Sequence, residues 1–187
     1  RSKIMELEKL RRDGATRLMF WQEFAEDEVS CFITSGDAAY DADVLTALAR
    51  GCEQPKGYTD GLGVWEYPQH DMKYVVGVDP GQGKTTPSAI TVWRFEQDNE
   101  QDRAIHCATK NTWIDPEATA SAANDIARMY NGAVLAVEAN AHGLAVISEL
   151  KNVHHYPRLY YRRDIITGLE SREIGWLTTP RTKPYMV

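Results

Sequence analysis

The sequence predicts a mixed α/β domain, and three observations carry that prediction. Three strand-like runs follow one another at 73–78, 88–95 and 104–113. A helical run then starts at Pro116 and reaches about Tyr130, with Ala120, Ala123, Ile126, Ala127 and Tyr130 on its apolar side. A short apolar run, Ala133-Val134-Leu135-Ala136-Val137, returns directly after it. Apolar spacing of three and four marks a helix, and short β-branched runs bounded by turn residues mark strands.

The elements before these runs are smaller. Ile4, Leu7 and Leu10 share a helical face that ends near Gly14, 17–24 reads as extended, and 27–32 reads as a helical turn or two. Asp41 is a plausible N-cap for a helix through Val44, Leu45, Leu48 and Ala49, stopped by Gly51. From 52 to 71 the chain carries Pro55, Gly57, Gly61, Gly63 and Pro68 with little periodicity, and it reads as a linker. The expected division is therefore a small, mostly helical appendage over 1–70 and the α/β domain over 71–187. Within that domain Pro116 suits a first helical turn, and Asn131-Gly132 stops the helix. A helix over 143–151 and a fifth strand at Leu159-Tyr160-Tyr161 complete the order. Three strands in a meander, then helix, strand, helix, strand, is the order of the ribonuclease H-like α/β fold.

Composition bounds the function. The 187 residues are 43% hydrophobic and 26% charged, values of a soluble globular chain. No apolar run approaches the roughly 18–20 residues that span a bilayer, so no membrane is expected. Cys31, Cys52 and Cys107 form no CxxC pair, which argues against a zinc site or a disulfide framework and fits a reducing, cytoplasmic setting. The start, Arg1-Ser2-Lys3-Ile4, has no initiator Met, so a piece of something longer is expected. The net charge of −6 does not advertise a nucleic-acid binder, yet the part from 139 onward carries +3. Local basicity of that kind supports phosphate contacts.

Two strand-end acids carry the chemistry. Val75-Val76-Gly77-Val78 runs into Asp79, and the run 133–137 runs into Glu138. Carboxylates closing two central strands can converge on one divalent cation, which points to metal-dependent chemistry on phosphate esters. The turn Pro80-Gly81-Gln82-Gly83-Lys84-Thr85 invites a P-loop reading. That motif requires a glycine at position 78, where Val78 stands, and a helix rather than a strand after the turn.

Three stretches resemble the large subunit of the tailed-phage terminase, the motor that packages DNA. Phe20-Trp21-Gln22-Glu23-Phe24-Ala25-Glu26-Asp27-Glu28 with Cys31-Phe32-Ile33-Thr34-Ser35-Gly36 looks like the segment joining the packaging ATPase to the nuclease. Gly77-Val78-Asp79-Pro80-Gly81 with Val137-Glu138-Ala139-Asn140-Ala141-His142-Gly143 is similar to the nuclease's two early acidic motifs. Gly175-Trp176-Leu177-Thr178-Thr179-Pro180-Arg181-Thr182-Lys183-Pro184 is like the turn before a later helix of the nuclease. The resemblance implies hydrolysis of double-stranded DNA with two Mg²⁺ or Mn²⁺ ions, Asp79 and Glu138 being metal ligands. Asn140 and His142 would stand just behind them, within reach of phosphate or of water bound behind the ligands, and for His142 a purely structural role stays open beside this one. Arg158, Arg162, Arg163, Arg181 and Lys183 are the expected DNA contacts, with the portal protein and the terminase small subunit as partners at the procapsid in the host cytoplasm.

The chain departs from the family in two places. Thr86-Pro87 stands where relatives often carry an Asp before the second strand, and the family's late acidic ligand lies past the position of Val187. Asp164, Glu170 and Glu173 read as surface charges rather than as a substitute. Weak or absent cleavage by this chain alone is therefore expected, and no ATPase motif is present. Three other readings stay open: a Holliday-junction resolvase-like endonuclease, an actin-like ATPase, and a docking module that holds DNA or portal protein without cutting.

Overall fold

The computed structural model describes residues 42–84, 86–97, 102–164, 168–179 and 182, and the chain forms two compact units, Arg1–Glu53 and Gln54–Val187. In the first unit the expected helix is α1 (Ala42–Arg50), which stops at Gly51. The runs expected at 4–14, 17–24 and 27–32 lie outside the described residues.

The second unit contains β1 (Gly57–Thr59), β2 (Leu62–Val64), β3 (Tyr74–Asp79), β4 (Ser88–Gln97), β5 (Asp102–Thr112), α2 (Pro116–Met129), β6 (Val134–Val137), α3 (Gly143–Asn152), β7 (Tyr161–Arg163) and β8 (Glu170–Ile174). The main sheet has the order β1-β2-β5-β4-β3-β6. β3, β4 and β5 form the antiparallel meander, and β6 joins β3 in parallel with Val75 opposite Val134. This mixed sheet with its helical crossover is a ribonuclease H-like fold.

Three expectations need correction. The stretch 52–71 is not only linker, because β1 and β2 form a hairpin that β2 docks antiparallel on β5. Its two-residue turn, Asp60-Gly61, has φ of 47° and 73°, the positive pair that a tight hairpin turn demands. Strands of three residues are too short to show periodicity, but the Asp-Gly pair was a readable signal. The added hairpin also means that β3 is not central: it lies between β4 and the near-edge β6. Finally, the fifth strand is split. Leu159 makes a parallel bridge to Leu135, the chain then leaves as the separate β7–β8 hairpin, and Trp176 returns to bridge Glu138. Tyr161 and Arg163 are exposed, so no core-facing pattern holds them in the main sheet.

The core explains why α2 sits where it does. Val76, Val78, Ile90, Val92, Leu135 and Val137 are buried, and α2 sets Ala120, Ala123 and Ala127 against them. Small side chains let the helix approach the sheet closely. Asp115 caps α2 by accepting the Ala118 N–H (2.8 Å), and Pro116 follows in the first turn. Asn131 and Gly132, both with positive φ, end the helix and turn the chain into β6. α3 packs Val146 and Leu150 into the same core.

Among the described residues one charged side chain is buried. Arg94 on β4 donates through Nε to Glu66 Oε1 (2.6 Å) and through Nη2 to Glu66 Oε2 (3.0 Å), and it also pairs with Glu96. Removing Glu66 takes away the two-point partner and leaves the buried guanidinium with Glu96 alone, so Glu66→Ala is expected to cost about 2–3 kcal/mol. Arg94→Met with Glu66→Ala should cost less than Glu66→Ala alone. Urea unfolding midpoints check this, and a single-mutant loss below about 1 kcal/mol would contradict it.

Candidate active site

Parallel pairing brings the two acids together. Val78 lies opposite Val137, and the Glu138 N–H donates to the Val78 carbonyl (2.9 Å), so Asp79 and Glu138 leave neighbouring strands at the same end. Adjacent strands are about 4.8 Å apart, which sets the backbone separation at that edge. Asp79 is exposed as a residue, although the fold partly shields its carboxyl group. That shielding is the main cause of a raised Asp79 pKa, followed by a hydrogen bond to Glu138 and repulsion from its charge. Two carboxyl groups within hydrogen-bonding reach resist double ionisation until a proton or a cation sits between them.

Glu138 is held from behind. Asn140 Nδ2 donates to Glu138 Oε1 (3.2 Å) and to the Thr178 carbonyl (3.1 Å), linking the acid to the segment after β8. That segment runs beside β6: the Trp176 N–H donates to the Val137 carbonyl (2.8 Å), and the Ala139 N–H to the Trp176 carbonyl (2.6 Å). Farther along it, Thr182 Oγ1 donates to the Leu177 carbonyl (2.6 Å). Gly143 opens α3 directly against Glu138, where a Cβ would stand 1.7 Å from the Glu138 carbonyl oxygen. His142 occupies the N-cap position of α3, half-buried, with no side-chain cap bond. The structure thus gives Asn140 a hydrogen bond to the site and His142 a place beside it in the chain.

The turn after Asp79 spends its backbone donors internally. The N–H groups of Gly81, Gln82 and Gly83 donate to Ser88 Oγ (3.0 Å), Thr86 Oγ1 (3.2 Å) and the Thr86 carbonyl (3.1 Å). A phosphate cradle needs such groups aimed outward, and here a ten-residue strand follows instead of a helix. These observations agree with the rejection of a P-loop.

The other expected residues are scattered. Arg162 pairs with Glu173, and Arg163 stands 3.7 Å from Glu170, both across the β7–β8 hairpin. Arg158 Nη1 donates to the Gly132 carbonyl (2.8 Å), at the end of β6 opposite Glu138. Arg181 and Lys183 lie outside the described residues. Among the described residues no group of three His, Cys, Asp or Glu side chains converges as a metal cluster. The Asn140–Thr178 link has no sequence signal, since 38 positions separate its ends.

No protein-family model matches the sequence, and no curated protein does. Among solved structures, the chain is similar to the large terminase nuclease from thermophilic phage G20c, crystallised with bound magnesium. The TM-score is 0.50 at 13% sequence identity, over 71% of this chain and 59% of that one. The chain therefore spans about three-fifths of that nuclease domain's length, and what the two share at this identity is the fold.

Proposed function

We propose that the chain is part of a terminase-type nuclease that hydrolyses DNA phosphodiesters with Mg²⁺ or Mn²⁺ held by Asp79 and Glu138. One observation carries the reading: the two acids leave adjacent parallel strands side by side at the same sheet edge, the Glu138 N–H bonded to the Val78 carbonyl. The donor set fits a hard divalent cation, since carboxylate oxygens are its preferred ligands and the ion would relieve the repulsion of the pair. When bound, such an ion polarises a phosphate oxygen and lowers the pKa of a water.

The chain's own residues do the rest. Asp79 and Glu138 gather negative charge at one sheet edge, and Asn140 fixes one Glu138 oxygen by donating to it. The α3 start at Gly143 packs directly against the Glu138 main chain. His142 is assigned to the phosphate or to a ligand water. DNA contact is assigned to Arg158, Arg162, Arg163, Arg181 and Lys183, and docking to the portal protein and small subunit goes with the same reading. The β1–β2 hairpin makes residue 54 a better start for the nuclease unit than residue 71, leaving the rest of the N-terminal stretch to the ATPase side.

The test is nicking of supercoiled plasmid in millimolar Mn²⁺, by this chain and by the longer parent protein. With only two carboxylates converging among the described residues, the 187-residue chain should cut poorly and the parent well. Glu138→Gln and Asp79→Asn in the parent should each abolish nicking, and unchanged cleavage by either would reject the assignment. Selectivity for branched DNA would favour a resolvase-like enzyme, and ATP binding the actin-like alternative. DNA binding by this chain should persist at low salt and weaken steeply between roughly 50 and 200 mM, as phosphate-directed contacts do. A salt-independent affinity in a gel-shift series would contradict the basic-residue assignment.

A further inference from the structure

The hydroxyls of Ser88 and Thr119 are both fully buried, and together they form a line that ends on the turn after Asp79. The Gly81 N–H donates to Ser88 Oγ (3.0 Å), Ser88 Oγ stands 3.0 Å from Thr119 Oγ1, and Thr119 Oγ1 donates to the Asp115 carbonyl (2.8 Å). The direction of the middle bond follows from the proton count. A carbonyl has no proton, so Thr119 spends its single hydroxyl proton on Asp115, and Ser88 must donate to Thr119. The lone pairs of Ser88 are then left to receive the Gly81 amide. All the dipoles in this line point the same way, from the turn to the N-cap of α2, and such chains reinforce one another.

This line meets the backbone at a decisive place. Pro80 has no N–H, so Gly81 carries the first backbone donor after Asp79. Gly81 is itself clamped: a Cβ there would meet the Thr86 and Pro87 carbonyl oxygens at 2.3 Å each. We infer that Ser88 and Thr119 are positioning residues, which tie the Pro80-Gly81 turn to the first turn of α2 and so hold the Asp79 carboxylate beside Glu138. The inference rests on the carboxylate pair being a cation site. A hydroxyl pair that merely fills a polar gap in the core would affect folding but not the aim of Asp79.

The deciding experiment is calorimetric titration of Mn²⁺ into the 187-residue chain and its variants. Thr119→Val keeps the shape and removes the hydroxyl, whereas Thr119→Ser keeps the hydroxyl and removes a methyl. Groups that orient metal ligands typically change affinity about 10–100-fold, and this line acts one step farther out, so Thr119→Val should weaken Mn²⁺ binding about 3–10-fold. Ser88→Ala should do the same, and Thr119→Ser should bind as wild type. Faster amide exchange at Gly81 should accompany the loss in Thr119→Val and Ser88→Ala. If Thr119→Val does not fold, Ser88→Ala against Thr119→Ser makes the same comparison. Wild-type affinity in the hydroxyl-free variants, with Asp79→Asn abolishing binding, would overturn this inference and leave the cation site standing. Binding unaffected by Asp79→Asn, or no binding by wild type, would instead remove the cation site and the inference with it.

Discussion

Asp79→Asn is expected to raise the melting temperature of the metal-free protein while abolishing Mn²⁺-dependent nicking by the parent. The two effects share a cause. The Asp79 pKa is raised in the folded state, by shielding first and by Glu138 second. A carboxyl group whose folded pKa is raised adds stability only while protonated, below its unfolded value near 4, and that stability is lost as pH rises through the folded pKa. At neutral pH the ionised pair is therefore a strained arrangement, and Asn removes one of its charges. Asp79 is exposed, so solvent screening limits the gain to about 1–3 °C for a domain of this size. The advantage of Asn should shrink as pH falls toward the raised pKa. Mn²⁺ should raise the melting temperature of wild type by mass action and leave Asp79→Asn unmoved. Nicking should fall at least about 100-fold, the scale on which lost transition-state electrostatics is felt. A mutant that melts lower than wild type and still responds to Mn²⁺ would contradict both halves.

The same pair shows which parts of this molecule were legible in its sequence. Asp79 and Glu138 each close an apolar run, and the helix between those runs makes their strands parallel neighbours, so local patterning and topology together placed both acids at one edge. α2 was equally readable, because Pro116 and Asn131-Gly132 act on the adjacent backbone. The β1–β2 hairpin is only half legible: three-residue strands carry no period, although Asp60-Gly61 encodes the turn. The departure of β7 from the main sheet was not legible. It depends on whether residues 159–163 stay beside β6 or pair with β8, a competition between distant partners. Asn140 was expected behind Glu138, but its second bond, to the Thr178 carbonyl, is a tertiary fact. Likewise Ser88 and Thr119 are ordinary residues in their own elements, and only the fold makes them neighbours.

Gly143→Ala is expected to be the most damaging single-methyl change in the site, and it separates crowding from backbone conformation. A Cβ at position 143 would lie 1.7 Å from the Glu138 carbonyl oxygen and 2.8 Å from the carbon that bears it. The obstacle is main chain, so no side-chain rotamer can move aside. Either α3 withdraws from β6 or the Glu138 backbone shifts, and both routes move the carboxylate that Asn140 holds. Overpacking within a core costs about 1–3 kcal/mol and more when backbone must yield, so a loss of about 3 kcal/mol or more is expected. Gly132→Ala is the matched contrast. Position 132 has φ of +64° and nothing within 4 Å of the added Cβ. Its cost is the left-handed backbone alone, about 1–2 kcal/mol. Gly143→Ala should therefore unfold at clearly lower urea than Gly132→Ala and, if enough of it folds, should also bind Mn²⁺ less tightly, whereas Gly132→Ala keeps wild-type affinity. Equal midpoints and equal Mn²⁺ affinities in the two variants would show that the α3 start does not hold Glu138 in place.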